Sequence, residues 1–166
     1  MLSNLDAIDA RILDVIQRDA GLSVVEIADQ VGVSSSPCWR RIKRLEDIGV
    51  ISRRVTLINY SKLGLKFEVE ANVRLNLLNS ENIARFEGAA RQWTEVTECV
   101  RISGAGDYVL RVITTDMRAY DNFLRDKVLP LDLVADIQSW IVVNVAKRTT
   151  EAPLVLVKSQ ITRAGQ

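Results

Sequence analysis

A cluster of basic side chains between residues 40 and 54 is the most chemically distinctive feature of the chain. This segment holds six basic residues against two acidic ones, a local charge of +4, whereas the formal charge of the whole chain is only +1. The six are Arg40, Arg41, Lys43, Arg44, Arg53 and Arg54. Guanidinium and ammonium groups neutralise phosphates, so the sequence predicts that this segment contacts nucleic acid.

The residue types argue against catalysis. The chain contains no histidine, and its two cysteines, Cys38 and Cys99, are far apart in the sequence. Histidine is the commonest general acid or base and the usual partner of a serine or cysteine nucleophile. Two isolated cysteines also supply too few ligands for a metal site, and we expect ordinary reduced thiols. The sequence therefore predicts no enzymatic activity, no metal and no cofactor.

No segment of the chain predicts contact with a membrane. No apolar run approaches the roughly 20 residues that a spanning helix needs. The first ten residues, MLSNLDAIDA, lack the basic start and apolar core of a secretion signal. We therefore expect an intracellular protein.

Three helices are predicted to position the basic cluster. Over residues 6–19 apolar side chains recur at intervals of three and four, which is the stripe of an amphipathic helix. A second helix is predicted over residues 24–31, because Ser23 precedes Glu26 by three positions and the two can form a capping box.

A tight turn joins the second predicted helix to the third. Gly32 tolerates the positive φ that lets the chain turn sharply after a helix. The third helix should begin in a run of capping hydroxyls and an initiating proline, Ser34, Ser35, Ser36 and Pro37. It should end near Ile48, before Gly49. Residues 22–41 therefore predict a helix-turn-helix motif, whose second helix enters the major groove of DNA.

The third helix has one apolar and one basic face. At 100° per residue, Cys38, Ile42 and Leu45 form a stripe that should pack on the first two helices. On the opposite face, the N-terminal part of such a helix meets base edges. The residues predicted to lie at the bases are Ser35, Ser36 and Arg40, beside Ser34 and Pro37. Those predicted to bind phosphates are Arg41, Lys43, Arg44, Arg53 and Arg54.

Two features of this helix allow a second interpretation. Arginines on an exposed helix face are often only solvated surface, but the capped helix and tight turn before them favour DNA binding. Trp39 could stack on a base or sugar. Because it lies beside the apolar stripe, we interpret it as a packing residue.

A wing and a hinge are predicted after the third helix. Residues 50–58 are rich in β-branched side chains and predict a short wing strand. Residues 60–64 have the composition of a connecting turn, and the hinge is placed at residues 61–66. The first domain is thus predicted to span residues 1–60.

From residue 67 the apolar pattern changes to strict alternation. Residues 67–75 predict a strand with one buried face, whereas Glu68, Glu70, Asn72 and Arg74 should point outward. Further helices and strands are predicted over residues 80–93, 96–102, 108–114, 117–129 and 137–145. The order βαββαβ is that of a ferredoxin-like fold, an antiparallel sheet with two helices on one face. We therefore expect an α+β protein in which a ferredoxin-like domain of residues 67–166 follows a winged helix-turn-helix.

Five stretches of the sequence form a specific combined pattern. They are LDAIDARILDVIQRDAGLS, VEIADQVGVSSSPCWRRIKRLEDIGVISR, LGL, SGAGDYVLRV and VAKRTT. Their order and spacing resemble the leucine-responsive/asparagine-regulator (Lrp/AsnC, or feast/famine) family of bacterial and archaeal transcription regulators. The resemblance implies a sequence-specific regulator that binds double-stranded DNA in the bacterial cytoplasm, associated with the nucleoid. It also implies a ligand-sensing (RAM) C-terminal domain that forms homodimers, often octamers, and takes a small effector, commonly an amino acid.

The resemblance also implies an effector site. SGAGDY is similar to the family's effector loop, where backbone amides of a glycine-rich turn can meet a carboxylate and an aspartate can meet an ammonium; its residues are Gly104, Gly106 and Asp107. The residues that fall where the family lines its pocket at the subunit interface are Val100, Met117, Trp140, Ile141 and Val142. The segment LPLDLVADIQSW departs from the shorter turn of many members. The bulk of Trp140 either favours a smaller or differently shaped ligand or fills the site.

Two other functions stay open at this stage. Sirohaem decarboxylases resemble these regulators in fold, but histidine does important work in them and this chain has none. The second alternative is a nucleoid-architectural protein that bends DNA with little sequence preference, as some family members do.

Overall fold

The computed structural model describes residues 5–156, so residues 1–4 and 157–166 of the predicted domains lie outside the described part. The chain forms two compact units. One contains the described residues up to Leu57 together with those from Lys147 onward, and the other spans Ile58–Ala146. None of the helices between residues 5 and 156 is both long enough and apolar enough to cross a bilayer.

The first unit forms three helices between residues 5 and 57. Its helices are α1 (Ala7–Ile16), α2 (Val24–Val31) and α3 (Ser35–Asp47). The predicted capping box of α2 is present, because the Ser23 hydroxyl accepts from the Glu26 amide and the Glu26 carboxylate accepts from the Ser23 amide. The helix therefore begins where its sequence predicts.

The turn between α2 and α3 also follows its sequence. Gly32 ends α2 with a φ of 71°, in the left-handed region that a side chain disfavours. Ser34 occupies the N-cap position of α3, but its hydroxyl makes no cap hydrogen bond, so the predicted hydroxyl cap is wrong there. The predicted stripe of Cys38, Ile42 and Leu45 is buried in the core of this unit, which fixes the face that α3 turns outward.

The predicted wing strand is wrong for the described chain. Residues 50–58 have no strand assignment, although Val55, Leu57 and Ile58 are the β-branched and aliphatic side chains that suggested one. All three are exposed. A strand needs a neighbour for its amides and carbonyls, and none pairs with this segment in the part of the chain that is described.

The segment after Lys147 belongs to the first unit, whereas the sequence placed it in the second domain. The amide of Ala152 donates to the side-chain oxygen of Gln17 at 2.9 Å. The carboxylate of Glu151 also lies 3.7 Å from the guanidinium of Arg18. The unit boundary at Leu57 likewise falls before the predicted hinge at 61–66, where the chain forms a 3-10 turn at Tyr60–Leu63.

The second unit is a four-stranded antiparallel sheet with two α-helices. Its elements are β1 (Phe67–Leu75), α4 (Ser80–Ala90), β2 (Val96–Arg101), β3 (Tyr108–Thr114), α5 (Met117–Phe123) and β4 (Val134–Ile141). The strands lie in the order β2-β3-β1-β4, and every neighbouring pair is antiparallel. This is the predicted ferredoxin-like arrangement.

One face of the sheet packs on the helices. The predicted alternation of β1 holds, since Val69, Ala71, Val73 and Leu75 are buried in the core of this unit. The helices and the segment after α4 contribute an aromatic cluster to the same core, Phe86, Trp93, Tyr120 and Phe123. The Phe86 and Trp93 rings meet edge to face with centroids 5.9 Å apart, a geometry that stabilises beyond area burial.

The last predicted helix and strand are shifted. The helix expected over 117–129 is α-helical only to Phe123 and continues as a π-helical segment, Leu124–Val128, and a 3-10 turn, Leu129–Leu131. Pro130 lacks the amide that a continuing α-helix needs. Strand β4 consequently begins at Val134, three residues before its predicted start.

Candidate nucleic-acid interface

Helix α3 presents a narrow exposed surface, which we call the reading strip: Ser35, Ser36, Trp39, Arg40 and Lys43. The Lys43 ammonium lies 3.1 Å from the Asp47 carboxylate in an exposed pair one turn apart. Such pairs hold weakly in water. Within residues 5–156, Arg40 has no ion-pair partner. Its exposed side chain is therefore available to contact DNA.

Arg41 and Arg44 bind two carboxylates at the start of α1 and are less exposed than the residues of the strip. The Arg41 Nη1 lies 2.6 Å from the Asp6 Oδ2 and 2.9 Å from the Asp9 Oδ1. The Arg44 Nη2 donates to the other oxygen of Asp9. Sequence reasoning assigned both arginines to phosphates; the structure gives their guanidinium groups a partner inside the unit.

Asp9 is the centre of this ion-pair network. Its side chain is fully buried, and a buried carboxylate needs paired charge and hydrogen bonds to offset its desolvation. Partial burial would lower the pKa of Arg41, but its hydrogen bonds to Asp6 and Asp9 outweigh that effect and raise the pKa. Burial likewise raises the pKa of Asp6, yet hydrogen bonds from the Asp9 amide and Arg41 lower it overall.

The same two carboxylates also start helix α1. The Asp6 Oδ1 accepts from the amides of Ile8 and Asp9, and the Asp9 Oδ2 accepts from the Asp6 amide at 3.0 Å. One cluster therefore caps α1 and ties α3 to that cap. The sequence analysis did not predict this role, although aspartate is a favoured N-cap residue.

The basic residues beyond α3 differ from each other. The Arg54 Nη2 lies 3.4 Å from the Glu46 carboxylate. Arg53 is exposed and has no ion-pair partner between residues 5 and 156. Of the six basic residues singled out in the sequence, Arg40 and Arg53 are thus the two without such a partner in the described chain.

Trp39 does not pack in the core. Its side chain is 56% exposed, so the interpretation of this residue as a packing residue is wrong. The neighbouring Cys38 is fully buried. One residue is a step of 100° around the helix, and that step carries the indole from the edge of the apolar stripe into the reading strip.

The glycine-rich turn of the second unit is anchored to β1 by its aspartate. The Asp107 amide donates to the Val73 carbonyl at 2.9 Å, and its Oδ2 accepts from the Leu75 amide at 2.8 Å. Gly106 is buried, and a Cβ there would lie 1.7 Å from the Asn72 Oδ1. That buried oxygen has no hydrogen-bond partner among the described residues. Sequence reasoning missed Asn72, which it had placed only on the outward face of β1.

The predicted pocket residues divide between two faces of the sheet. Trp140 pairs with Glu70 and Ile141 with Val69, so the first points away from the helices and the second toward them. Val100 and Val142 share the helix-free face with Trp140 by the same alternation. Met117 begins α5 and is exposed. Within one chain, the structure therefore does not bring all the predicted side chains to one cavity, while Gly104, Gly106 and Asp107 do share one turn.

A helix-turn-helix with a basic exposed strip, followed by a separate ferredoxin-like unit, defines a two-domain DNA-binding regulator. Residues 5–52 match the winged helix-turn-helix DNA-binding domain, and residues 68–152 match the Lrp/AsnC ligand binding domain. The chain belongs to the Lrp/AsnC family of transcription regulators.

Characterised relatives agree with this assignment. The proline dehydrogenase transcriptional activator of Rhizobium radiobacter is 36% identical over 146 residues, which cover 88% of this chain and 94% of that protein. The leucine-responsive regulatory protein of Salmonella typhimurium is 34% identical over 146 residues, covering 88% and 89%. Both relatives are regulatory proteins.

Solved structures match both units. A transcriptional regulator of Neisseria meningitidis, solved with L-methionine, is 34% identical with a TM-score of 0.89, over 93% of this chain and 99% of that one. An AsnC family regulator of Agrobacterium tumefaciens is 38% identical with a TM-score of 0.87, over 92% and 99%. The chain is therefore a DNA-binding transcription regulator with a ligand-binding second domain.

Proposed function

We propose that this regulator recognises specific DNA sequences with α3 and that an amino acid bound by its second unit controls this recognition. The observation that carries the proposal is the composition of the reading strip. It combines small hydroxyl side chains at the start of α3 with the guanidinium of Arg40, which has no ion-pair partner in the described chain. The neighbouring Arg41 and Arg44 bind the carboxylates of Asp6 and Asp9.

Each residue of the interface has a distinct task in this proposal. Arg40 donates to a guanine edge, since a guanidinium can bond the O6 and N7 atoms together. Ser35 and Ser36 approach neighbouring base edges, while Ser34 and Pro37 place the start of α3 against the DNA backbone. Lys43, Arg53 and Arg54 bind phosphates, which adds affinity and salt dependence without selecting a sequence. Arg41 and Arg44 hold α3 in place through Asp9, which modifies the task that the sequence gave them.

The effector binds at the turn of Gly104, Gly106 and Asp107. Backbone amides of such a turn suit a carboxylate, and a donor near Asn72 would relieve its unsatisfied oxygen, which is costly when buried. The L-methionine complex of the Neisseria relative supports an amino acid as the ligand class. Val100, Met117, Trp140, Ile141 and Val142 complete the pocket where subunits meet.

A second copy of the chain is part of this proposal. Two copies of α3, one from each subunit, recognise two half-sites about 10 base pairs apart, which is one turn of DNA. The exposed Val100 and Trp140 on the helix-free sheet face support homodimers, which assemble further into octamers. Such assemblies act in the bacterial cytoplasm on the nucleoid.

A binding selection tests the DNA half of the proposal. The full chain is equilibrated with random-sequence duplexes, and the retained DNA is sequenced and footprinted. Enrichment of a sequence with half-sites about 10 base pairs apart is expected. Salt-dependent retention without any enriched sequence would instead identify an architectural DNA-bending protein.

A thermal-shift screen of the amino acids tests the effector half. A ligand at 100 times its dissociation constant stabilises the native state by about 2.7 kcal/mol. We expect one or a few amino acids to raise the unfolding temperature of the wild type and to leave Asp107→Ala unchanged. Equal shifts in both proteins would remove Asp107 from the site.

A further inference from the structure

We propose that Trp39 is a sequence-reading residue whose indole contacts the C5-methyl group of a thymine in the major groove. The inference rests on the proposed DNA recognition by α3 and adds to it a residue type and a base. It assigns a role to the one aromatic side chain of the reading strip.

The first support is the position of Trp39 along α3. It lies one turn after Ser35 and one turn before Lys43, so the three side chains form a single exposed row. Arg40 is the next residue and borders this row. The indole therefore lies between the side chains proposed to meet bases and a lysine proposed to meet phosphate.

The second support is the state of the opposite flank of α3. Arg41 lies on that flank and Arg44 lies one turn after Arg40 at its border, and both donate to the carboxylate of Asp9 on α1. Because α1 occupies that side, a DNA groove centred on Arg40 meets the Trp39 side of the helix. Charge alone would centre the DNA contact on the row of arginines. The structure instead moves the centre of the proposed contact around the helix toward Trp39.

The third support is chemical. An indole is uncharged, with a large apolar face and a single N–H donor. It therefore binds a phosphate only weakly. The thymine methyl is the apolar group that base edges display in the major groove. Exposure alone does not mark Trp39, because Trp140 in the second unit is 53% exposed. Its place in the reading strip distinguishes it.

The test uses uracil, which differs from thymine only by that methyl group. A duplex that the full-length wild type enriches from a random library is resynthesised with each thymine replaced in turn. Removal of one methyl contact should weaken wild-type binding about four-fold at one position. Trp39→Ala should bind the thymine duplex on the order of ten-fold more weakly than the wild type and should not respond to uracil at that position. Its affinity for a scrambled duplex should be unchanged.

Two matched variants control for folding and for loss of apolar surface. Ile48→Ala removes another exposed apolar side chain, 49% exposed at the C-cap of α3, and should bind both duplexes like the wild type. Trp39→Phe keeps an aromatic face and should retain part of the uracil response. Melting temperatures of all variants are compared, so that a poorly folded protein is recognised by its lowered melting temperature.

Several results would overturn the inference. Trp39→Ala could enrich the same sequence with wild-type affinity, or no thymine could respond to uracil. An equal loss on selected and scrambled duplexes, in a variant that melts at the wild-type temperature, would make Trp39 a backbone contact. If the wild type enriched no sequence at all, the proposed function would fail with it, which differs from a failure confined to Trp39.

Discussion

Replacing Asp9 by asparagine should destabilise the first unit more than any exposed charge change on the same helices. Asp9 is fully buried. Its two carboxylate oxygens accept hydrogen bonds from the guanidinium groups of Arg41 and Arg44 and from the Asp6 amide. The amide side chain of asparagine keeps one acceptor and a similar volume. What it removes is the negative charge between two cations.

The magnitude follows from the burial of the partners. Removing one member of a buried ion pair costs about 3–5 kcal/mol, because the remaining charge is left unpaired. Here the side chains of Arg41 and Arg44 are 28% and 40% exposed, and Arg41 keeps its contact with Asp6. We therefore expect the lower end, a loss of about 3 kcal/mol in the free energy of unfolding of this unit.

Urea unfolding of the full chain, with hydrogen exchange to localise the change, measures the effect. Amides of α1 and α3 should lose protection in Asp9→Asn, while those of β1 and β3 serve as an internal reference. Asp47→Asn is the matched control, since its pair with Lys43 is exposed and should contribute less than about 1 kcal/mol. If the two variants unfolded alike, the network would not hold α3 and our account of Arg41 and Arg44 would be refuted.

Further predictions concern DNA contacts, the turn of the second unit and its buried tyrosine. Arg40→Ala should lower affinity for the selected sequence more than for random DNA, whereas Arg53→Ala should lower both alike and reduce the salt slope by about one unit; titrations at several salt concentrations compare them. Gly106→Ala should lower the melting temperature because its Cβ would meet Asn72, and Asn72→Ala should restore part of the loss in the double variant. Burial and the hydrogen bond to a glutamate raise the pKa of Tyr108 to about 12. Its contribution to stability is therefore complete below pH about 10 and lost as the pH rises to about 12, which unfolding measured across that range detects.

The fold was largely predictable where local signals agree with packing. The capping box at Ser23 and the glycine at position 32 fixed α2 and its turn, and the alternation over 67–75 fixed the buried face of β1. The segment at 50–58 was not predictable, because β-branched composition favours a strand but pairing depends on a neighbour elsewhere. For the same reason no local pattern revealed that the segment after Lys147 packs on α1.

The site was only partly predictable from the sequence. Residue type shows that Arg41 carries a charge, but not that a carboxylate 32 positions earlier lies 2.9 Å away. Trp39 lies at the border of an apolar stripe, where a helical wheel cannot distinguish core from surface. Asn72 had the pattern of an ordinary outward residue, and only the approach of Gly106 shows its place beneath the turn.

The most direct test of sequence-specific recognition by α3 is the ratio of affinities for a selected and a scrambled duplex, measured at one physiological salt concentration. The wild type should prefer the selected duplex by at least about 1,000-fold, and Arg40→Ala should reduce that ratio by on the order of ten-fold or more. A wild-type ratio near one, or one that Arg40→Ala leaves unchanged, would contradict the account.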